Sequence, residues 1–102
     1  MYSYRITPLA RLDMVSAKQY IAVELCSPES ANELMQALKT AFENACAFPE
    51  SIPPVTDPKL QVKGYRKIIV KNHIAFVLLD HENESVDIMR VLYYARNFRK
   101  LL

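Results

Sequence analysis

Six successive apolar residues, Ile74-Ala75-Phe76-Val77-Leu78-Leu79, lie between the turn-forming Asn72-His73 and the polar stretch His81 to Ser85. A strand with one wet face alternates apolar and polar residues, so an unbroken apolar strand has cover on both faces. The sequence therefore places this strand in the interior of a sheet, under helices on one side and partly shielded on the other. Gly64-Tyr65-Arg66-Lys67-Ile68-Ile69-Val70 precedes it, and Val86-Asp87-Ile88-Met89-Arg90-Val91-Leu92-Tyr93 follows. Both segments are rich in β-branched and aromatic residues and the breaks are short, which predicts a three-stranded antiparallel meander.

The helices are written in the first half. Tyr2, Tyr4 and Ile6 alternate with Ser3, Arg5 and Thr7, the period of a short half-buried strand. Thr7-Pro8 then opens a helix, with Thr as N-cap and Pro where a missing N–H costs nothing. Its predicted stripe is Ala10, Met14, Ala17, Ile21 and Leu25, with Tyr20 at the margin. Ser27-Pro28 repeats the start signal, and Ala31, Leu34, Met35, Leu38, Phe42 and Ala45 form a second stripe that ends near Phe48-Pro49. So short a connection folds the two helices into a hairpin. The proline-rich stretch from Ser51 to Pro58 reads as an extended loop. The expected fold is α+β: an N-terminal strand, a helical hairpin, then the meander, with both helices on one face of the sheet. At the C-terminus, a last helical turn is expected to dock Phe98, Leu101 and Leu102 on that sheet.

A chain of 102 residues fits one domain spanning 1–102. No run approaches the roughly 20 apolar residues of a membrane span, and the N-terminus lacks a signal-peptide layout, so a cytoplasmic location is expected. Cys26 and Cys46 are read near opposite ends of one helix, too far apart to bridge, as buried or idle thiols. No glycine-rich phosphate loop, nucleophile elbow or metal-ligand spacing is present in the sequence, so neither cofactor nor metal is implied. Asp80, Glu82, Glu84 and Asp87 lack calcium-loop spacing and read as a solvated turn.

Charge divides the chain. Residues 1–58 hold four basic and seven acidic residues, net −3, whereas residues 59–102 hold nine and four, net +5. A positive sheet half steers a polyanion or an acidic peptide toward itself, or simply protects an exposed sheet edge. The candidate surface is basic and aromatic: Tyr65, Arg66, Lys67, Lys71, Arg90, Tyr93, Tyr94, Arg96, Arg99 and Lys100. Such a set binds phosphates and stacks bases. The alternative is structural, with Tyr65 and Tyr93 packed on the sheet and Arg90 in an internal ion pair.

Thr7-Pro8 with Ala10, Tyr20-Ile21-Ala22, Phe48-Pro49, Gly64-Tyr65-Arg66-Lys67, Asn72-His73 and Arg90-Val91-Leu92-Tyr93 with Arg96 follow one another in an order and spacing that resemble the RelE/ParE toxins of bacterial type II toxin–antitoxin modules. The resemblance covers nearly the whole chain. It implies a small cytoplasmic growth inhibitor of the plasmid-stabilising, addiction-module kind. A cognate antitoxin would wrap and mask the basic surface, in a complex that allows larger toxin–antitoxin oligomers. RelE-like members cut messenger RNA on the ribosome; ParE-like members poison DNA gyrase.

For a nuclease, the resemblance would assign catalysis to Arg66 and Arg96 with His73, Tyr93 or Tyr94, and binding to Lys67, Lys71, Arg90, Arg99 and Lys100. The chain departs from that pattern: Ile68 and Ile74 stand where cations are expected, and Tyr94 stands about where another arginine belongs. Cleavage without a metal depends on preorganised cations around the developing dianion. The sequence thus leans toward gyrase inhibition, with ribosome-dependent messenger cleavage as the alternative and an inactive antitoxin-binding domain as a third reading.

Overall fold

The computed structural model describes residues 1–94 and 98–102. Strand β1 (Ser3–Ile6) leads into helix α1 (Pro8–Gln19), which continues as a π-helical turn over Tyr20–Glu24. Helix α2 (Pro28–Ala47), a 3₁₀ turn (Pro49–Ser51) and a short helix α3 (Pro58–Val62) follow. Strands β2 (Arg66–Val70), β3 (His73–Asp80) and β4 (Ser85–Tyr93) then form the meander, and α4 (Phe98–Leu101) closes the chain.

The sheet order is β1-β4-β3-β2, with β1 parallel to β4 and the remaining pairs antiparallel. As the apolar run requires, β3 is interior, and both of its faces are covered. Ala75 and Val77 pack with Val86, Ile88 and Val91 under Ala10, Leu34, Leu38 and Phe42 of the helical hairpin. On the other face, Phe76 and Leu92 form a smaller cluster with Val55, Leu60 and Tyr65, joined by Ile74, Leu101 and Leu102. The expected docking of Leu101 and Leu102 is observed; Phe98's side chain lies outside the described residues. Helix α3 starts at Asp57, whose side chain accepts the Lys59 N–H at 2.9 Å, with Pro58 at the first position. The helix begins at the last residue of the expected extended stretch and occupies a segment to which the sequence reading assigned no element.

Two local irregularities set the site. Leu25 N–H donates to the Tyr20 carbonyl five residues back, the widened repeat of a π turn. The extra residue rephases the helix, so Leu25 points outward and is exposed rather than completing the inward stripe. Cys26 sits in the interhelical turn with φ 51°, exposed and outside either helix, and both cysteines are free. In β4, Val77 pairs with Ile88 but Phe76 pairs with Arg90, so Met89 is a bulge. Without it, Arg90 would share the helix-facing side of Val86 and Ile88.

Candidate functional site

Where β1 ends, helix α1 replaces it as the neighbour of β4. Thr7 N–H donates to Ile88 O at 3.1 Å, and the Thr7 hydroxyl donates to Met89 O at 3.1 Å while accepting from Ala10 N–H at 3.1 Å. One turn on, Asp13 Oδ2 accepts the Val91 N–H at 3.0 Å, standing in for the missing strand partner. The same carboxylate takes Arg90 in a two-pronged pair, Nε to Oδ2 at 2.7 Å and Nη2 to Oδ1 at 2.9 Å. Arg90 Nη1 donates to the Leu101 carbonyl at 3.2 Å. Its guanidinium, kept charged by the Asp13 hydrogen bonds, therefore ties α1, β4 and α4 together.

Beside this strut, a groove of about 810 Å³ opens between the α1–π-turn segment and the β2–β3 turn. Ala17, Ile21 and Leu34 line its floor, Tyr20 and Leu25 one lip, and Lys71, His73 and Tyr93 the other wall. Three rings form a ladder that runs outward from that wall. His73 meets Tyr93 edge-on at 5.8 Å, and Tyr93 meets Tyr94 at 5.0 Å. His73 Nδ1 is buried without a hydrogen-bond partner, and burial lowers the imidazole's pKa. The neutral ring fits that setting, since protonation would place an unpaired N–H inside.

The sequence-predicted residues fall into separate groups. His73, Tyr93 and Tyr94 come together, with exposed Lys71 in the adjoining turn at φ 53°. Arg66 lies at the other end of β2, opposite Val77 rather than His73, which is about 13 Å of strand away. There it donates to the Ile52 carbonyl at 2.9 Å and to the Glu50 carbonyl and carboxylate at 3.3 Å each, holding the 48–54 loop. Lys67 lies mid-strand opposite Phe76, and Lys100 is exposed on α4. Arg96 and the Arg99 side chain lie outside the described residues. Sequence reasoning missed Asp13, for which the only signal is an acidic residue within the first helix.

The acidic hairpin is internally occupied as well. Arg5 binds Asp87 at 2.8 and 3.0 Å and Asp80 at 3.2 Å, while Asn83 also holds Asp80. These bonds lower both carboxyl pKa values, chiefly through Asn83 at Asp80 and Arg5 at Asp87. Among the described residues, no group of His, Cys, Asp and Glu could hold a metal ion, and no helix is long and apolar enough to cross a membrane.

A mixed four-stranded sheet with a helical hairpin on one face is the architecture of the RelE/ParE toxins. The family model for the ParE toxin of type II toxin–antitoxin systems, parDE, matches residues 4–98, and the chain belongs to that family. Its fold is similar to a chain of the chromosomal ParDE system of P. aeruginosa, with TM-score 0.72, 18% identity, and 91% of this chain and 96% of that chain covered. It is also similar to one in the toxin–antitoxin complex RelBE2 of Mycobacterium tuberculosis, with TM-score 0.59, 20% identity, and 93% of each chain covered. No curated protein matches the chain.

Proposed function

We propose that this ParE-family toxin arrests bacterial growth by binding an essential cytoplasmic target in the manner of a gyrase inhibitor, and that a cognate antitoxin neutralises it. The partner is suggested by the similar folds, which come from a ParDE system and a RelBE2 toxin–antitoxin complex. One observation supports inhibition over cleavage: the two described sheet arginines are occupied by the protein's own acceptors, in different places. Arg66 holds the 48–54 loop and Arg90 holds Asp13 and Leu101. A phosphorane needs cations converging within a few ångströms of one point, and a neutral His73 adds none. What the groove does offer is an apolar floor, a ring ladder and one free lysine, which suits the docking of a protein.

A ribosome-dependent nuclease remains the second reading, because His73, Tyr93 and Tyr94 stand together beside Lys71. Induced expression separates the two. Growth arrest relieved by the product of the adjacent reading frame, with double-strand breaks and an SOS response, is the expected outcome. Codon-positioned messenger cuts within minutes of induction, abolished by Arg66→Ala or Arg96→Ala, would establish the nuclease instead. Unimpaired growth despite folded, soluble protein would leave only an antitoxin-binding domain.

A further inference from the structure

The sheet has two edges, β1 and β2, and the chain covers only one of them. At β2, Lys67 N–H donates to the Pro53 carbonyl at 2.9 Å and Val55 N–H to the Tyr65 carbonyl at 3.1 Å, so the 53–55 segment lies along that edge. Pro53 and Pro54 have no N–H to offer a further strand. At β1 the backbone is open. Ser3 N–H donates to the Glu84 carbonyl at 3.0 Å and Thr7 N–H to the Ile88 carbonyl at 3.1 Å, both toward β4. The two-residue period of a strand then turns the backbone groups of Tyr2, Tyr4 and Ile6 the other way. Among the described residues, no recorded backbone bond takes up the outward groups of Tyr4 or Ile6. An edge of this kind is a template for another strand.

Charge and register identify the strand. The charged side chain of β1 is Arg5, already held by Asp87 and Asp80, and the N-terminal amine beside it is held by Glu84. An acidic segment therefore finds no free cation along this edge. A second copy of the chain fits it. Paired antiparallel about Tyr4, the copy sets Tyr4 opposite Tyr4, Tyr2 opposite Ile6 and Ser3 opposite Arg5, with no like charges face to face. This register makes the Tyr4–Tyr4 pair and both Tyr2–Ile6 pairs the hydrogen-bonded ones, up to about six new backbone bonds. The side chains of Tyr2, Tyr4 and Ile6 are only partly buried against the main core, and the copy covers their remaining flank. The same operation at β2, centred on Ile69, would oppose Lys67 to Lys71.

We propose that two copies of this chain pair through their β1 edges about a two-fold axis at Tyr4, joining two four-stranded sheets into one continuous sheet. The contact is self-complementary, as a two-fold interface must be. Pairing from Tyr2 to Ile6 buries less than the roughly 1,200 Å² of a standard stable interface, so the dimer is weak, with a dissociation constant of about 1–100 µM. It uses neither the groove nor Lys71, and so stands apart from the growth-arrest reading.

The test follows the purified chain, without an N-terminal tag, by sedimentation equilibrium from about 1 to about 500 µM, a range that brackets the expected constant. A monomer–dimer equilibrium is expected, with amide exchange at Tyr4 and Ile6 slowing as concentration rises. Ser3→Lys sets a cation against Arg5 of the other copy twice per dimer and should weaken it roughly tenfold, whereas Ser3→Glu should tighten it by about threefold or more. Ser3 is exposed, and unchanged circular-dichroism melting at low concentration verifies that each variant monomer folds as the parent does. Ile69→Lys, on the β2 edge, should stay within about threefold of the parent. A chain monomeric over the whole range overturns the proposal, as does a dimer that Ile69→Lys weakens and the two Ser3 variants leave unmoved. Protection of Tyr4 and Ile6 that develops only when the product of the adjacent reading frame is added also overturns it, assigning the edge to that product. Each of these outcomes leaves the growth-arrest reading intact.

Discussion

Removing the Asp13 carboxylate tests whether Arg90 is a strut or a binding residue. Asp13→Ala deletes both prongs of the Arg90 pair and the acceptor of the Val91 N–H, leaving the guanidinium only the Leu101 carbonyl. Both side chains are 13% exposed, so little solvent is available to compensate. Deleting one partner of a buried pair costs about 3–5 kcal/mol, and the slight exposure argues for the lower end, about 3 kcal/mol. For a domain of this size that lowers the melting midpoint by roughly 10–20 °C. Asp13→Asn keeps an acceptor for Val91 and should cost about half as much. Arg90→Met with Asp13→Leu removes both charges, so the double variant should be more stable than the sum of its singles predicts, by about 1.5 kcal/mol or more. Urea unfolding followed by circular dichroism measures the parent, each single variant and the double. A loss below about 1 kcal/mol for Asp13→Ala, or additivity of the singles within about 0.5 kcal/mol, would refute the strut.

Two further predictions concern the wall of the groove. Burial lowers the pKa of His73, so the unfolded chain takes up a proton at a higher pH than the folded one, and stability falls as pH drops below the unfolded value of about 6.5. His73→Gln should flatten the change in unfolding free energy between pH 7.5 and 5.5, the carboxylates being common to both proteins; equal slopes would contradict the buried neutral ring. Lys67→Glu with Lys71→Glu reverses charge on the sheet half, which carries net +5 from residue 59 onward. Binding of the adjacent frame's product should then begin more slowly with little change in dissociation, and association rates independent of salt would exclude electrostatic steering.

The elements that local rules govern were legible in the residues. Thr7-Pro8 and Ser27-Pro28 mark both helix starts, the α2 stripe is buried as its spacing requires, and the run from Ile74 to Leu79 is interior. Asp57-Pro58 carries the same signal as the other two starts, but the helix it opens is only 5 residues long, too short for an apolar stripe to announce it. The π turn escapes periodicity because its cause is an added residue, and it turns Leu25 from a core position into a surface one. The bulge at Met89 does the same for the face on which Arg90 lies. Each shifts the phase of a repeating pattern, and a pattern alone gives no reason to expect the shift.

That difference decides how the basic half reads. In the sequence, Arg66, Arg90 and Lys71 are equivalent, each a cation on or beside a strand rich in apolar residues. What separates them is the company brought by distant parts of the chain: Glu50 and Ile52 from the 48–54 loop at Arg66, Asp13 from α1 at Arg90, and no recorded ion pair at Lys71 among the described residues. An arginine held by two carbonyls and a carboxylate, or by a two-pronged carboxylate in a nearly dry site, has few donors left for a ligand and would lose protein bonds to meet one. A turn lysine on a wet rim loses none. The net charge of the sheet half therefore overstates its binding capacity: both of its described strand arginines are taken up by the protein's own acceptors, and Lys67 within β2 and Lys71 in the β2–β3 turn are among the cations left free to meet a partner.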